Sequence, residues 1–236
     1  MRPSVDIVLP CYNPGAKWAE ELVAFHGYAG HQFNLNFIIV DDGSTRETVK
    51  QGLDLLERHN IPYQFISYPN NRGKGHALRL GVSRSQNAFT LYTDIDFPFT
   101  NQSTFNVLKT LTESENDVVA GFRNEAYYLK KMSGFRVFLS KSFRAFIKRF
   151  LHLRITDTQC GLKGFNANGR EKFLQTKTNR YLFDFEFIYA TSKSKSIKME
   201  AVEVELKDNV QFSRMRPGVL FQELLNLIRI LLFKKV

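Results

Sequence analysis

Four short apolar runs, separated by helix-patterned stretches, constrain this chain more than any single residue does. Residues 5–10, 37–40, 63–68 and 88–93 are rich in β-branched and aromatic side chains and read as strands. Residues 17–27, 45–59, 73–85 and 100–111 carry helical spacing between and after them, and 117–121 reads as a fifth strand. Strand and helix in alternation predict an α/β fold, a mostly parallel central sheet flanked by helices on both faces. Ligands of such sheets collect outside the carboxyl ends of the strands. The residues that follow each strand are therefore where function is expected.

After the fourth run comes Thr93-Asp94-Ile95-Asp96, with Pro98 closing any continuation of the strand. Two carboxylates one residue apart let one approach a divalent cation directly while the other reaches it through water, and Mg²⁺ and Mn²⁺ prefer such oxygen ligands. A strand-end turn with an Asp capping the helix near Thr100 explains the same string more cheaply. After the first run comes Pro10-Cys11-Tyr12-Asn13-Pro14-Gly15, whose aromatic ring and amide suit a nucleobase. It lacks G-x-G-x-x-G, which removes the main support for a nicotinamide or flavin. After the second run Asp41-Asp42-Gly43-Ser44 offers acceptors for a base or a ribose, or caps for the next helix. After the third, Asn70-Asn71-Arg72-Gly73-Lys74-Gly75-His76 places glycines and Lys74 at a helix start, a candidate anion site of backbone N–H groups, helix dipole and ammonium. The Walker spacing is absent, and His76 reads as packing.

Taken in order, Val8-Leu9-Pro10-Cys11-Tyr12-Asn13, Asp41-Asp42-Gly43-Ser44, Arg72-Gly73-Lys74-Gly75 and Asp94-Ile95-Asp96 resemble glycosyltransferase family 2, whose members share the GT-A fold. Asp157-Thr158-Gln159-Cys160-Gly161 and Arg180-Tyr181-Leu182-Phe183-Asp184-Phe185-Glu186 are similar to its dolichyl-phosphate glucosyltransferase and dolichol-phosphate mannose synthase branch. The branch commonly has Trp where Tyr181 stands, and many bacterial members append transmembrane helices that this sequence lacks. The resemblance implies a metal-dependent inverting enzyme that moves a hexose from a UDP- or GDP-sugar to a polyprenyl or dolichyl phosphate. It implies Asp94 and Asp96 as ligands of Mg²⁺ or Mn²⁺, and Pro10, Tyr12, Asn13, Asp41, Asp42 and Lys74 around the nucleotide. Arg123 and Arg136 fall where the branch binds the acceptor phosphate, and Asp157 where a residue faces the attacking oxygen. Asp184 and Glu186 are reserve candidates. The domain expectation is 1–206 as the GT-A unit, with a nucleotide-sugar half at 1–122 and an acceptor half at 123–206, followed by a tail at 207–236.

Charge sharpens the question of partners. The net +10 is uneven: 123–172 holds 12 basic against 3 acidic residues, while 1–122 is slightly acidic. Within that segment, Phe135, Leu139, Phe146 and Phe150 line one side of a helical plot and Arg136, Ser140, Arg144 and Lys148 another. Such a helix either lies on an anionic membrane or docks on the sheet with its cations in water. The tail carries Leu220, Leu224, Leu227, Ile228 and Leu231 at helical spacing and reads as a second surface-seeking or partner-binding helix. No run is long enough to span a bilayer, no apolar leader opens the chain, and Cys11 and Cys160 form no CxxC. The expectation is a cytoplasmic protein, peripheral at the membrane face, partnered by a nucleotide-sugar, a polyprenyl phosphate and an anionic surface or membrane-embedded protein, and not by nucleic acid. The alternatives are a family 2 enzyme acting on a saccharide hydroxyl, and a basic membrane- or nucleic-acid-binding module without catalysis.

Overall fold

The computed structural model describes residues 1–124, 141–142, 144–145, 147, 149, 153, 155, 157–208, 210, 227 and 230–231. Arg136, most of the basic amphipathic stretch and most of the tail lie outside them. The described elements run β1 (Ser4–Cys11), α1 (Trp18–Ala29), β2 (Asn34–Asp41), α2 (Thr48–Arg58), β3 (Tyr63–Ser67), α3 (Lys74–Arg84), β4 (Phe89–Tyr92), α4 (Asn101–Glu113), β5 (Val118–Arg123), β6 (Lys163–Phe165), α5 (Ala167–Leu174), α6 (Phe183–Lys193) and β7 (Met199–Val204). The strands form one sheet in the order β3-β2-β1-β4-β6-β5-β7. All neighbours are parallel except β6, which runs against both β4 and β5.

Alternation along the strands sorts the side chains into two cores. Val5, Ile7 and Leu9 of β1, with Leu35, Phe37 and Ile39 of β2, face α1, α2 and α4. Val8, Ile38 and Val40 face the opposite layer, where α3, α5 and α6 bring Ala77, Leu78, Phe173, Phe183 and Phe187. Both faces of the central strands are therefore apolar, and these strands appear in the sequence as nearly unbroken hydrophobic runs. The second core also receives Ile147, Leu153, Ile155 and, from the tail, Ile230, with Leu227 and Leu231 packed against it. At those described positions the two amphipathic stretches dock on the protein.

Two strands escaped the sequence reading. β6 is three residues long and its first, Lys163, is wholly buried, which no hydrophobic run announces. β7 is an edge strand in which five of six residues, two glutamates among them, are partly or fully exposed and only Val204 is buried. Asp117 fixes both to β5 by accepting from Asn166 Nδ2 at 3.0 Å, Asn168 Nδ2 at 2.9 Å and the Lys198 backbone N–H at 2.9 Å.

Helices α1 and α2 meet where the Trp18 indole lies on Gly52, its N–H donating to the Thr48 carbonyl at 3.0 Å. A Cβ at position 52 would overlap the indole ring. Gly52→Ala is thus expected to lower stability by about 1–3 kcal/mol through overpacking. A urea denaturation curve superimposing on that of the unaltered protein would contradict this packing.

Candidate active site

Five loops converge on the carboxyl edge of the sheet, and they are braced chiefly by one another. Asn13 adopts a left-handed φ of 46°, which its short amide tolerates; its Oδ1 accepts from the Thr45 N–H at 2.9 Å, and its own N–H donates to Ser44 Oγ at 2.8 Å. The loop after β1 is thereby tied to the loop after β2, leaving Tyr12 half exposed at its tip and Pro10 at the end of β1. Asp41 is buried and holds its own loop, accepting from the Ser44 N–H at 3.0 Å and Ser67 Oγ at 3.1 Å.

Asp42 binds the third loop. Its carboxylate accepts from the Arg72 N–H at 2.6 Å, the Gly73 N–H at 2.9 Å and Asn71 Nδ2 at 2.9 Å. Gly75 N–H donates to the Asn179 carbonyl at 2.8 Å, and His76 and Ala77 N–H donate back to Gly73. This corrects the sequence expectation of a backbone anion cradle here: protein oxygens already take the Gly73, Gly75, His76 and Ala77 N–H groups, and the charge left to attract an anion is that of the Lys74 and Arg72 side chains. Gly73, at φ 101° and pressed against the Asn179 carbonyl, has no room for a side chain. His76 packs edge-on against Tyr68, with ring centroids 5.5 Å apart, as expected.

The turn after β4 presents the acid pair. Phe97 takes a left-handed φ of 43°, uncommon for a bulky residue, and is held there by burial against Phe25 at 5.3 Å. Its N–H closes the turn onto the Asp94 carbonyl at 3.0 Å. Asp94 forms an ion pair with Lys74, and Asp96 stands exposed beside it. The crowding of the loops around Asp96, and then the like charge of Asp94, push its carboxyl above the ordinary value even though part of its surface meets solvent. Lys74 is shifted upward: desolvation opposes its charge, but Asp94, Asp184 and Asp96 outweigh that. Among the described residues no group of three His, Cys, Asp or Glu side chains forms a self-sufficient metal site. Two carboxylates one residue apart on this turn nevertheless fit a Mg²⁺ or Mn²⁺ ion, which is ordinarily held by one or two carboxylates with substrate phosphates completing its shell.

Across the edge, Arg123 at the end of β5 grips Asp157 with a fork, Nε to Oδ2 at 2.8 Å and NH2 to Oδ1 at 2.7 Å, and its backbone N–H adds a third bond at 2.8 Å. Arg144 approaches the same carboxylate at 3.3 Å. Burial would raise Asp157, but the two guanidinium groups and these hydrogen bonds hold it below the ordinary carboxylate value. Arg144 belongs to the row of Arg136, Ser140, Arg144 and Lys148 at steps of four, so the helical plot carries its signal. Beneath the loop, the Lys163 ammonium bonds the Cys160 carbonyl at 2.5 Å and Asp184 Oδ1 at 2.6 Å; the Tyr92 hydroxyl donates to that oxygen at 2.6 Å. Glu186 accepts from the Lys177 and Thr178 N–H groups and so fixes the loop that covers the start of α3. Burial and then neighbouring carboxylates push the Cys11 and Cys160 thiols up to about 12, which removes both as nucleophiles.

The model of glycosyl transferase family 2 matches residues 6–173. The chain belongs to this family. A dolichyl-phosphate beta-glucosyltransferase of Trichomonas vaginalis is 26% identical over 98% of this chain and 74% of its own length. The Drosophila melanogaster protein of the same description is 28% identical over 91% of this chain and 71% of that one. Among solved structures, glucosyl-3-phosphoglycerate synthase from Mycobacterium tuberculosis with Mn²⁺, UDP and phosphoglyceric acid superposes with a TM-score of 0.69 at 16% identity, covering 98% of this chain and 78% of that one. The fold is GT-A, and this family 2 glycosyltransferase is an enzyme.

The depressed Asp157 carboxyl makes a prediction with a definite sign. A group whose folded pKa lies below its unfolded value stabilises the protein above the unfolded value, near 3.9 for Asp, and that stabilisation is lost as pH falls through the folded one. Asp157→Asn, which leaves two arginines partly unpaired, is expected to cost about 3–5 kcal/mol at pH 7. In urea melts from pH 7 down to pH 3, the gap between variant and unaltered protein should narrow. A gap constant across that range would show that Asp157 carries no depressed pKa.

Proposed function

We propose that this glycosyltransferase moves a hexose from a nucleotide-sugar to a polyprenyl phosphate of the dolichyl type, with inversion at the sugar carbon. The observation that carries this reading is the arginine-clamped Asp157. A saccharide hydroxyl must lose its proton as it attacks, and a base held ionised by two guanidinium groups is a poor acceptor for that proton. A phosphate monoester has its second pKa near 6 and is already largely dianionic at neutral pH. Such an acceptor needs cations to bring it toward the donor's diphosphate, rather than a base. Arg123 and Arg144 are those cations at this edge, and Asp157 positions the Arg123 fork. Similarity to relatives described as dolichyl-phosphate beta-glucosyltransferases supports the same acceptor class.

On the donor side, Tyr12 offers its exposed ring to the base, Asn13, Asp41 and Asp42 shape the wall beside it, and Lys74 faces the diphosphate. Asp94 and Asp96 would hold a Mg²⁺ or Mn²⁺ ion, which neutralises charge on the departing nucleoside diphosphate. Neighbouring GT-A structures contain Mn²⁺ with UDP, or Mn²⁺ with GDP-mannose in a Pyrobaculum calidifontis mannosyltransferase, which supports a divalent ion without choosing the base. A lipid acceptor brings the enzyme to a membrane surface at the cytoplasmic face, where the basic residues of 123–172 meet anionic lipid. No helix among the described residues is long and apolar enough to cross the bilayer.

Nucleoside diphosphate release from UDP-glucose and GDP-mannose, with a short polyprenyl phosphate or with free saccharides, tests the reading. Turnover is expected with one donor and the lipid phosphate, with Mn²⁺ or Mg²⁺ required. Asp96→Ala is expected to lower kcat by more than the ~10–100-fold typical of losing an outer-shell metal partner. Arg123→Lys, which replaces the fork with a point charge, should raise KM for the lipid phosphate and leave donor affinity nearly unchanged. Use of saccharides but not the lipid phosphate, with an essential base in the pH profile, would transfer the assignment to a hydroxyl acceptor.

A further inference from the structure

The carboxylate that the proposed function gives to a cation is already engaged by a cation of the protein itself. Lys74 and Asp94 form an ion pair with side chains 27% and 39% exposed, so it is neither a solvated surface pair nor a sealed one. A divalent ion takes carboxylate oxygens at about 2.0–2.1 Å in the case of Mg²⁺, and an ammonium on the same carboxylate repels it at close range. Bare cation entry must therefore displace Lys74.

The surroundings give the lysine room and a second direction. Gly161 adjoins the pair without a side chain; a Cβ there would stand 3.1 Å from Asp94 Oδ2 and 3.5 Å from Lys74 Nζ. Lys74 is the first residue of α3, and its ammonium lies 5.8 Å from the Phe183 ring centroid, beside Asp184. The side chain has four rotatable bonds, while its backbone is locked between Gly73 and the Gly75–Asn179 hydrogen bond. It is a mobile charge on a fixed base. With the Arg72 and Gly73 N–H groups taken up by Asp42 and the Gly75 N–H by Asn179, the Lys74 ammonium, beside the exposed Arg72, is charge that this helix start can offer an incoming diphosphate.

We propose that Lys74 is a tethered counter-ion that reserves the site for a cation–diphosphate complex: it occupies Asp94 when nucleotide is absent and turns to the diphosphate when the cation takes the carboxylate. This inference rests on the assignment of Asp94 and Asp96 to the cation. Cation and nucleotide then bind as one ligand, and each raises the affinity for the other by the same factor. The bare acid pair is kept neutralised, so that cytoplasmic divalent ions do not fill the site unproductively.

Electron paramagnetic resonance of free Mn²⁺ measures the coupling directly on the full chain, without nucleotide and with UDP, and with GDP in a parallel series. Lys74→Met is expected to bind bare Mn²⁺ roughly tenfold more tightly, while Mn²⁺ affinity in the presence of nucleotide is unchanged or weaker, a loss of coupling within the ~5–150-fold range usual for linked sites. Lys74→Gln should act in the same direction, and supplies the reading if the methionine variant does not fold. Equal gains with and without nucleotide would mean that Lys74 is a fixed positive charge, and unaltered bare affinity would mean that it does not compete; either result overturns the proposal alone. Failure of the unaltered protein to bind Mn²⁺ even with nucleotide, or an Asp94→Asn variant that binds it as tightly, would instead overturn the cation assignment and this inference with it.

Discussion

The ion pair between Lys163 and Asp184 lies where β4, β6, α6 and the loop before β6 meet beneath the site. Lys163 opens β6, the antiparallel strand between β4 and β5, and its ammonium is wholly buried against Asp184 of α6 and the Cys160 carbonyl. Tyr92, the last residue of β4 and two positions before Asp94, donates to the same carboxylate. A buried pair of this kind adds little stability over an apolar replacement, yet losing one partner costs about 3–5 kcal/mol because a charge is left stranded. Its structural effect is positional. It fixes the carboxyl end of β4, the 157–162 loop and the start of α6 relative to one another, and Asp94, Lys74 and Arg123 take their places from those three.

Around that junction the loops are braced by carboxylates that the sequence alone invites one to assign to ligands. Asp42 binds three groups of the 71–73 loop, Glu186 two N–H groups of the 177–178 loop, and Asp157 the guanidinium of Arg123. Charge-assisted hydrogen bonds of this sort are about twice as strong as neutral ones, which suits irregular backbone that has no ladder to satisfy it. A loop held in this way keeps its exposed tip, such as Tyr12, in one place without a ligand. Preorganisation of that kind lowers the ordering cost of binding a donor.

The first five strands and four helices were legible from apolar runs, helical spacing and caps: β1 and β2 are nearly continuous apolar runs, and α4 is capped by Thr100, whose hydroxyl accepts from the Ser103 N–H at 3.2 Å. β6 was not legible because its key residue is a buried lysine, whose hydropathy argues for the surface until Asp184 is seen beside it. The acid pair at 94 and 96 was legible from its place after a strand, as was the loop set around it. The partners of Asp42 and Asp157 were not, since they lie about 30 residues away and depend on which loops the sheet brings together. The anion cradle expected at Gly73 and Gly75 failed for the same reason: a sequence shows that N–H groups are present but not which oxygens reach them first.

The same comparison sorts the acids of this edge into two kinds. At this edge, Asp41, Asp42, Asp157, Asp184 and Glu186 are all buried, and each is engaged by N–H or O–H donors of the protein. Asp94 and Asp96 differ in kind: Asp96 is exposed, and Asp94 is balanced by a single half-exposed ammonium rather than by a set of fixed hydrogen bonds. Burial with satisfied oxygens lowers a carboxylate's appetite for a further cation, because its charge is already neutralised at short range. Burial first, and then the like charge of Asp94, push the Asp96 carboxyl upward, while Lys74 pairs with Asp94. Among the described acids of this edge, Asp94 and Asp96 are therefore the two not held by a set of fixed hydrogen bonds, and the surrounding carboxylates keep the loops around them in position.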